Sequence, residues 1–292
     1  MTTSATIWLR ERIRVGPLML LPGIANALGA RIVEDLGFEA LYVSGAGIAN
    51  TFLGAPDIGL VTLSELAMHV AAIRDAVNIP VVVDADTGFG NAVGVAHTVR
   101  VLERAGANAV QLEDQVSPKK CGHFEGKSVI SRDEMVQKIK AAVDSRTSKI
   151  VIIARTDARA VEGLDSALDR ARAYQDAGAD AVFIEAPQTE RELLSLPSRL
   201  PGPHVVNLVD GGKTPLLPLS QLGDFRIALF ANLSLQASMF AMNKVLGELR
   251  REGAITDSMK GNIVDWNERQ RLVRKGEFDD LERRFAATTE VK

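Results

Sequence analysis

A closed α/β barrel of the (β/α)8 type is the fold this chain predicts. Three observations predict it: eight short apolar runs without helical period, amphipathic segments between them, and a glycine where several of those segments return to the next run. The runs are LMLL (18–21), ALYV (40–43), PVVVD (80–84), AVQLE (109–113), KIVIIA (149–154), AVFIEA (181–186), HVVNLV (204–209) and RIALF (226–230). Continuous rather than alternating apolar character means that both faces of each strand are covered, the pattern of parallel strands flanked by helices. Segments 64–77, 92–105, 132–145 and 164–177 space apolar residues three and four apart and supply those helices. DLGFEALYV, RAGANAVQL and DAGADAVFI each put glycine where a helix end needs positive φ, then re-enter a strand. Eight such units with right-handed crossovers close most simply into a barrel, whereas an open doubly wound sheet more often stops at about five or six strands. After the eighth strand, 234–252, 256–275 and 277–287 read as amphipathic helices, more than one closing helix requires. The expected division is a barrel over 1–250 and a helical extension over 251–292, whose surplus apolar faces imply packing on something, such as another subunit.

Length and composition agree with one such barrel. The fold takes roughly 250 residues, and the chain has 292, of which 46% are hydrophobic and 24% charged. A net charge of −3, with Lys and Arg scattered among Asp and Glu, offers no basic stripe to nucleic acid. No stretch approaches the roughly 18 consecutive apolar residues of a membrane span. Cys121 is the sole cysteine, so no internal disulfide can form, and the cytoplasm is the expected compartment. Arg10, Arg12 and Arg14 precede an apolar stretch and imitate a secretory signal. Pro22, Gly23 and Asn26 interrupt that stretch, which reads better as the strand LMLL ending in a loop.

In this fold catalytic side chains sit at the C-terminal ends of strands. Here strand two ends in Ser44 and Gly45, strand three in Asp84 and Asp86, and strand four in Glu113 and Asp114. Strand five ends in Arg155 and Asp157, strand six in Glu185, and strand seven in Asn207. Asp84, Asp86 and Glu113 gathered at one mouth would repel unless a cation joined them, and hard oxygen donors without sulfur or paired His favour Mg2+ or Mn2+. The alternative for each Asp taken singly is a helix N-cap at a βα turn. Arg155 offers a planar two-pronged donor to a carboxylate, with a structural ion pair as the alternative, and Gly45–Gly47 leaves backbone N–H groups for an anion. The expected ligand is a small anion.

The segment QLEDQVSPKKCGHFEGKSVIS (111–131) is the densest in chemistry. Lys119, Lys120, Cys121 and His123 fall within five residues on one loop, where cations favour a thiolate or ready a thiol for proton transfer. Gly122 and Gly126 give the loop freedom to open without ligand and close over it. GHFEGKS falls one residue short of the phosphate-binding GxxxxGK[ST] loop, and GAGIAN lacks the last glycine of the dinucleotide fingerprint. One Cys and one nearby His make a thin zinc site. A nucleophilic Cys hydrolase leaves the acidic cluster without a purpose.

VDADTGFGN (83–91), QLEDQ (111–115), KKCGH (119–123) and ARTDA (154–158) resemble the isocitrate lyase and phosphoenolpyruvate mutase superfamily, over about 18–249. KKCGH resembles its lyase branch in particular, the branch of 2-methylisocitrate lyase, 2,3-dimethylmalate lyase and the petal death protein. The resemblance implies a modified barrel, Mg2+, cleavage of a carbon–carbon bond in a 2-hydroxy di- or tricarboxylate, and C-terminal helices exchanged between subunits of a homotetramer. It further implies Asp84, Asp86 and Glu113 as metal-holding residues, and Cys121 as the proton donor, with Lys119 and His123 tuning or anchoring it. Ser44, Gly45, Gly122, Arg155, Glu185 and Asn207 would hold substrate. Two departures stand out: LVDGG follows Asn207 where 2-methylisocitrate lyase has a TEFG-like segment, and FANLS (230–234) stands where relatives commonly carry Tyr-Pro. Oxaloacetate hydrolysis, phosphonate mutase chemistry and a non-catalytic barrel are the competing readings.

Overall fold

The computed structural model describes residues 2–122 and 124–286. Eight parallel strands close in chain order: β1 (Met19–Ile24), β2 (Leu41–Val43), β3 (Val81–Asp84), β4 (Ala109–Glu113), β5 (Val151–Thr156), β6 (Ala181–Ile184), β7 (His204–Asn207) and β8 (Ile227–Phe230). Helix α1 (Thr2–Val15) precedes the barrel and α2 (Ala27–Asp35) follows β1. After β2 come α3 (Gly45–Ile48), a π-helical turn (Ala49–Leu53) and α4 (Leu63–Ala76). The outer ring continues with α5 (Ala92–Ala105), α6 (Arg132–Ser145), α7 (Ala158–Val161), α8 (Leu164–Asp176) and α9 (Glu190–Arg199). The chain ends with α10 (Leu233–Glu252), α11 (Asp257–Lys260), α12 (Trp266–Leu272) and α13 (Lys275–Phe285). It forms two compact units, Met1–Leu235 and Gln236–Lys292.

The boundaries of α5 and α6 match the expected segments, α5 being signalled at both ends and α6 at its start. Asn91 caps α5 by accepting from Val93 and Gly94 N–H, and Gly106 at φ 104° ends it. Ser131 caps α6 by accepting from Glu134 N–H at 3.1 Å.

Strand periodicity positions the site. Alternate residues point inward, and those nearest the barrel base, Met19, Val82, Ala109, Val151, Ala181, Val205 and Ile227, belong to one buried cluster with Tyr42, Phe183 and Leu229. Two or four residues on, at the C-terminal ends, the same inward parity brings Ser44, Asp84, Glu113, Arg155, Glu185 and Asn207. Each strand is therefore apolar at its base and polar at its tip. The outward residues Val43, Val83, Val110, Leu112, Ile152 and Ala154 pack with residues of the surrounding helices.

One element was not foreseen and two expectations need correction. The N-terminal segment, to which the sequence reading assigns no element, is helix α1. Leu9 and Ile13 join the inner apolar cluster, Arg10 donates to the Lys149 carbonyl and pairs with Asp180, and Arg12 pairs with Glu39. Of the arginines that imitate a signal, Arg10 and Arg12 fasten this helix to the barrel, while Arg14 pairs with Glu11 within the helix. β1 also runs on through Pro22 and Gly23; a side chain at Gly23 would collide with the Ala231 backbone, so glycine allows the β1–β8 approach. Finally, the helix expected over 256–275 is two, because α11 stops at Gly261 and Asp265 restarts the chain as the N-cap of α12, accepting from Glu268 N–H. Residue 287, the expected end of the last helix, lies outside the described residues.

Candidate active site

A cavity of about 40 Å³ opens at the C-terminal ends of the strands. Ser44, Asp84, Glu113, Lys119, Cys121, Gly122, Arg155, Glu185 and Asn207 all line it. Gly45 and Asp86 stand beside this wall: Gly45 N–H donates to Asp84 Oδ2 at 3.3 Å, and Asp86 Oδ1 lies 3.0 Å from Lys119 Nζ. His123 lies outside the described residues.

The acidic floor is organised by β3 and β4. Asp84 Oδ1 accepts from Asp86 N–H at 3.3 Å and from the Gln111 amide at 3.5 Å. Asp86 takes a left-handed conformation, φ 46°, which turns its carboxylate back over the strand end. Burial pushes the Asp86 carboxyl up to about 7; Lys119 opposes that rise while Asp84 and Asp57 add to it. Burial likewise drives Glu113 well above the carboxylate range despite Arg155 nearby, and its Oε1 is buried with no hydrogen-bond partner. Lys119 pairs with Asp57 as well as Asp86. Burial alone would lower its pKa, but the carboxylates of Asp86, Asp84, Glu113 and Asp57 more than offset that, so it stays an ammonium.

This floor answers the question of a metal. Among the described residues no three His, Cys, Asp or Glu side chains converge as a closed ligand set. The donors nevertheless fit a hard cation that keeps part of its water shell, as Mg2+ does. They are all oxygens, Glu113 Oε1 lacks a partner, and burial pushes two of the acids toward protonation despite Lys119 and Arg155 nearby.

Arg155 is held from three sides. Nε and Nη2 donate to the two oxygens of Asp157 at 2.9 and 3.1 Å, Nη1 lies 3.2 Å from Glu185 Oε2, and the guanidinium rests 5.2 Å from the centre of the Phe183 ring. Nε also lies 3.4 Å from Glu113 Oε2. The Nε and Nη2 side of this arginine is an internal ion pair with Asp157, and the residue also lines the cavity.

The loop after β4 covers the mouth. The Gln115 side chain grips Lys120, accepting from its N–H at 2.9 Å and donating to its carbonyl at 2.8 Å. Val116 N–H donates to the Ser128 carbonyl at 2.9 Å, closing the base of the loop. Gly122 lies so close to the barrel that a Cβ there would fall 2.8 Å from Glu185 Oε2 and run into Arg155. Cys121 is half-buried beside it.

One electrostatic expectation fails. Gly45 and Gly47 do not leave their N–H groups for an anion, because Gly45 donates to Asp84 and Gly47 to Ser44 Oγ at 3.1 Å. Gly45 acts through size: a Cβ would stand 3.1 Å from Asp84 Oδ2. Sequence reasoning also missed Tyr42 and Asp57, both in the cavity wall. Tyr42 was legible from parity, two residues before Ser44; nothing in the sequence marks Asp57.

The family model described as phosphoenolpyruvate phosphomutase matches residues 9–250. The chain belongs to the phosphoenolpyruvate mutase and isocitrate lyase superfamily. It is 40% identical over 289 residues to 2,3-dimethylmalate lyase of Eubacterium barkeri, covering 98% of this chain and 99% of that one. It is 46% identical over 275 residues to 2-methylisocitrate lyase of Aeropyrum pernix, covering 94% and 85%. Oxaloacetate acetylhydrolase bound to 3,3-difluorooxalacetate matches with a TM-score of 0.91 at 30% identity, covering 98% and 99%. Phosphonopyruvate hydrolase in complex with oxalate and Mg2+ matches with a TM-score of 0.87 at 30% identity, covering 98% and 100%. With lyases as these full-length relatives, the chain is a carbon–carbon lyase of the superfamily.

Proposed function

We propose that this lyase cleaves the C2–C3 bond of a 2-hydroxy di- or tricarboxylate of the alkyl-malate or 2-methylisocitrate type, releasing a 2-oxo acid and a second carboxylate. The observation that carries the reading is one cavity walled by Asp84 and Glu113 on one strand pair and by Cys121 on the covering loop. Asp84, Asp86 and Glu113 would hold Mg2+ or Mn2+ directly or through water. An ion held there would supply Lewis-acid stabilisation of the substrate's 2-oxygen.

The remaining work falls to the chain's own groups. Arg155, braced by Asp157, and Asn207, whose buried Oδ1 has no partner, orient the substrate's polar ends with Ser44 and Glu185. Lys119 keeps its proton, so it anchors Asp57 and Asp86 rather than serving as a base. Cys121 carries the proton that quenches the departing carbanion, on the fragment distal to the 2-hydroxyl. A cavity of about 40 Å³ admits roughly three water centres, far fewer than the heavy atoms of a dicarboxylate, so the loop lifts to admit substrate and then excludes water.

Screening 2-hydroxy and 2-oxo diacids for 2-oxo acid release, with Mg2+ and with EDTA, tests the reading; release that survives EDTA would overturn the metal's part. The fit to oxaloacetate acetylhydrolase favours a second reading, in which oxaloacetate yields acetate and oxalate. Product analysis on oxaloacetate separates the two. The proposal extends to a homotetramer in the cytoplasm with exchanged C-terminal helices. It is supported by α10 and α13, which contribute no buried residue and expose Phe240, Leu246, Phe278 and Phe285. Light scattering on the purified chain checks the assembly.

A further inference from the structure

We propose that Lys127 is a positioning residue that latches the Cys121 loop to the end of β5. This rests on the reading of Cys121 as proton donor. The Lys127 side chain is 1% exposed and pairs with Asp157, which is wholly buried, at 2.7 Å. The same ammonium donates to the carbonyl of Gly122, the residue next to Cys121. Asp157 in turn holds Arg155. One carboxylate therefore joins the loop to the arginine in the cavity wall, and one lysine carries that link to the backbone beside the thiol.

Lys119 ties the start of the loop to Asp57 and Asp86, ahead of the thiol, and the remaining ties on the thiol's far side are weaker or local. Lys120 Nζ donates to the Gly126 carbonyl, which is itself in the loop and fastens nothing to the barrel. Lys213 pairs with Glu125, a side chain 89% exposed, and exposed pairs contribute little. Gln115 holds Lys120 through neutral amide bonds, about half as strong as charge-assisted ones. Asp157 already has Arg155 as counter-charge, so neutralising that carboxylate does not by itself require Lys127. What the lysine adds is a grip on Gly122. Its flexible stem also lets it release the Gly122 carbonyl while keeping Asp157, as a loop that opens for each substrate requires.

The test compares Lys127→Met and Lys127→Arg in the intact chain. Cys121 alkylation by iodoacetamide is measured without substrate, and kcat and KM are measured on the diacid found to turn over. In Lys127→Met, alkylation should quicken at least about tenfold and kcat fall at least about tenfold with KM changed less than about threefold, with Lys127→Arg recovering part of both. Wild-type alkylation in folded Lys127→Met overturns the latch, whether or not kcat falls. If that variant does not fold, Lys127→Gln keeps a donor for Gly122 without the charge; alkylation there should still exceed wild type, and an unchanged rate overturns the proposal. Cys121→Ser with normal turnover would instead overturn the protonation reading, while the alkylation result on the latch would stand.

Discussion

Glu113 and Asp114 are consecutive residues at the end of β4, and their carboxylates serve opposite sides of the barrel wall. Glu113 lines the cavity. Asp114 turns outward and accepts from Thr156 Oγ1 at 2.7 Å, Tyr174 OH at 2.8 Å and Asp157 N–H at 2.9 Å. Arg170 Nη1 stands 3.4 Å away. Removing Asp114 strands several buried donors, while Arg170 keeps Glu162. Asp114→Ala should lose about 3–5 kcal/mol of stability, read by urea unfolding. Glu113→Gln, by contrast, should keep its Tm within about 2 °C and lose turnover.

Asp86 sets stability against function. Burial pushes its carboxyl up to about 7 in the folded chain, above the ordinary 3.8. The folded state therefore binds more protons between those values, so this group's contribution is most favourable below the unfolded pKa and is lost as pH rises through 7. Asn tolerates the left-handed backbone at this position. Asp86→Asn should raise the Tm of metal-free protein at pH 8 and weaken Mg2+ binding. Calorimetric titration with Mg2+ and thermal scans in EDTA read the two effects; a lowered Tm would contradict the account.

Asp157 behaves in the opposite sense. Burial alone would raise its carboxyl, but Arg155 and Lys127 hold it down at about 2 against an ordinary 3.8. Its stabilisation is present above the unfolded value and disappears as pH falls through about 2. At about 1.4 kcal/mol per pKa unit the contribution is roughly 2 kcal/mol. Asp157→Asn should lower stability by at least that amount at pH 7 and flatten the acid limb between pH 4 and 2, measured by denaturant titration across pH.

Gly122 has no room for a side chain. Gly122→Ala should push the loop away from Glu185 and Arg155, cutting kcat at least about tenfold with little change in Tm, since loop tips contribute little to global stability. Steady-state kinetics and a thermal scan on one sample decide it.

Cys121→Ser exchanges a thiol for a far weaker acid in nearly the same volume. Turnover should fall at least about a hundredfold with substrate affinity kept, the scale of general acid catalysis. Near-normal turnover would remove Cys121 from the chemistry.

Much of this was readable from residue order, because continuous apolar runs mark parallel strands and polar residues at their ends mark the mouth. Period two carried more than was first drawn from it. Counting inward from Val82, Ala109 and Ile153 reaches Asp84, Glu113 and Arg155, and the same count sends Asp114 outward. Helix α1 stayed hidden because its inner face is little more than Leu9 and Ile13, amid arginines that resemble an export signal. Asp57 stayed hidden because its tie to Lys119 spans 62 residues, a pairing that only the folded loops create. Lys127 carries no signal in the sequence, because its part depends on burial against Asp157, which only the folded chain creates.

Leu9 and Ile13 stop the end of the barrel away from the cavity, and Phe183 and Leu229 fill the space between. Traffic is consequently one-way in reverse order: whatever enters first lies deepest and departs last. On the proposed reading the 2-oxo acid sits on the acidic floor and must wait for the other fragment to clear the doorway, so it should inhibit competitively, whereas the fragment released first should not.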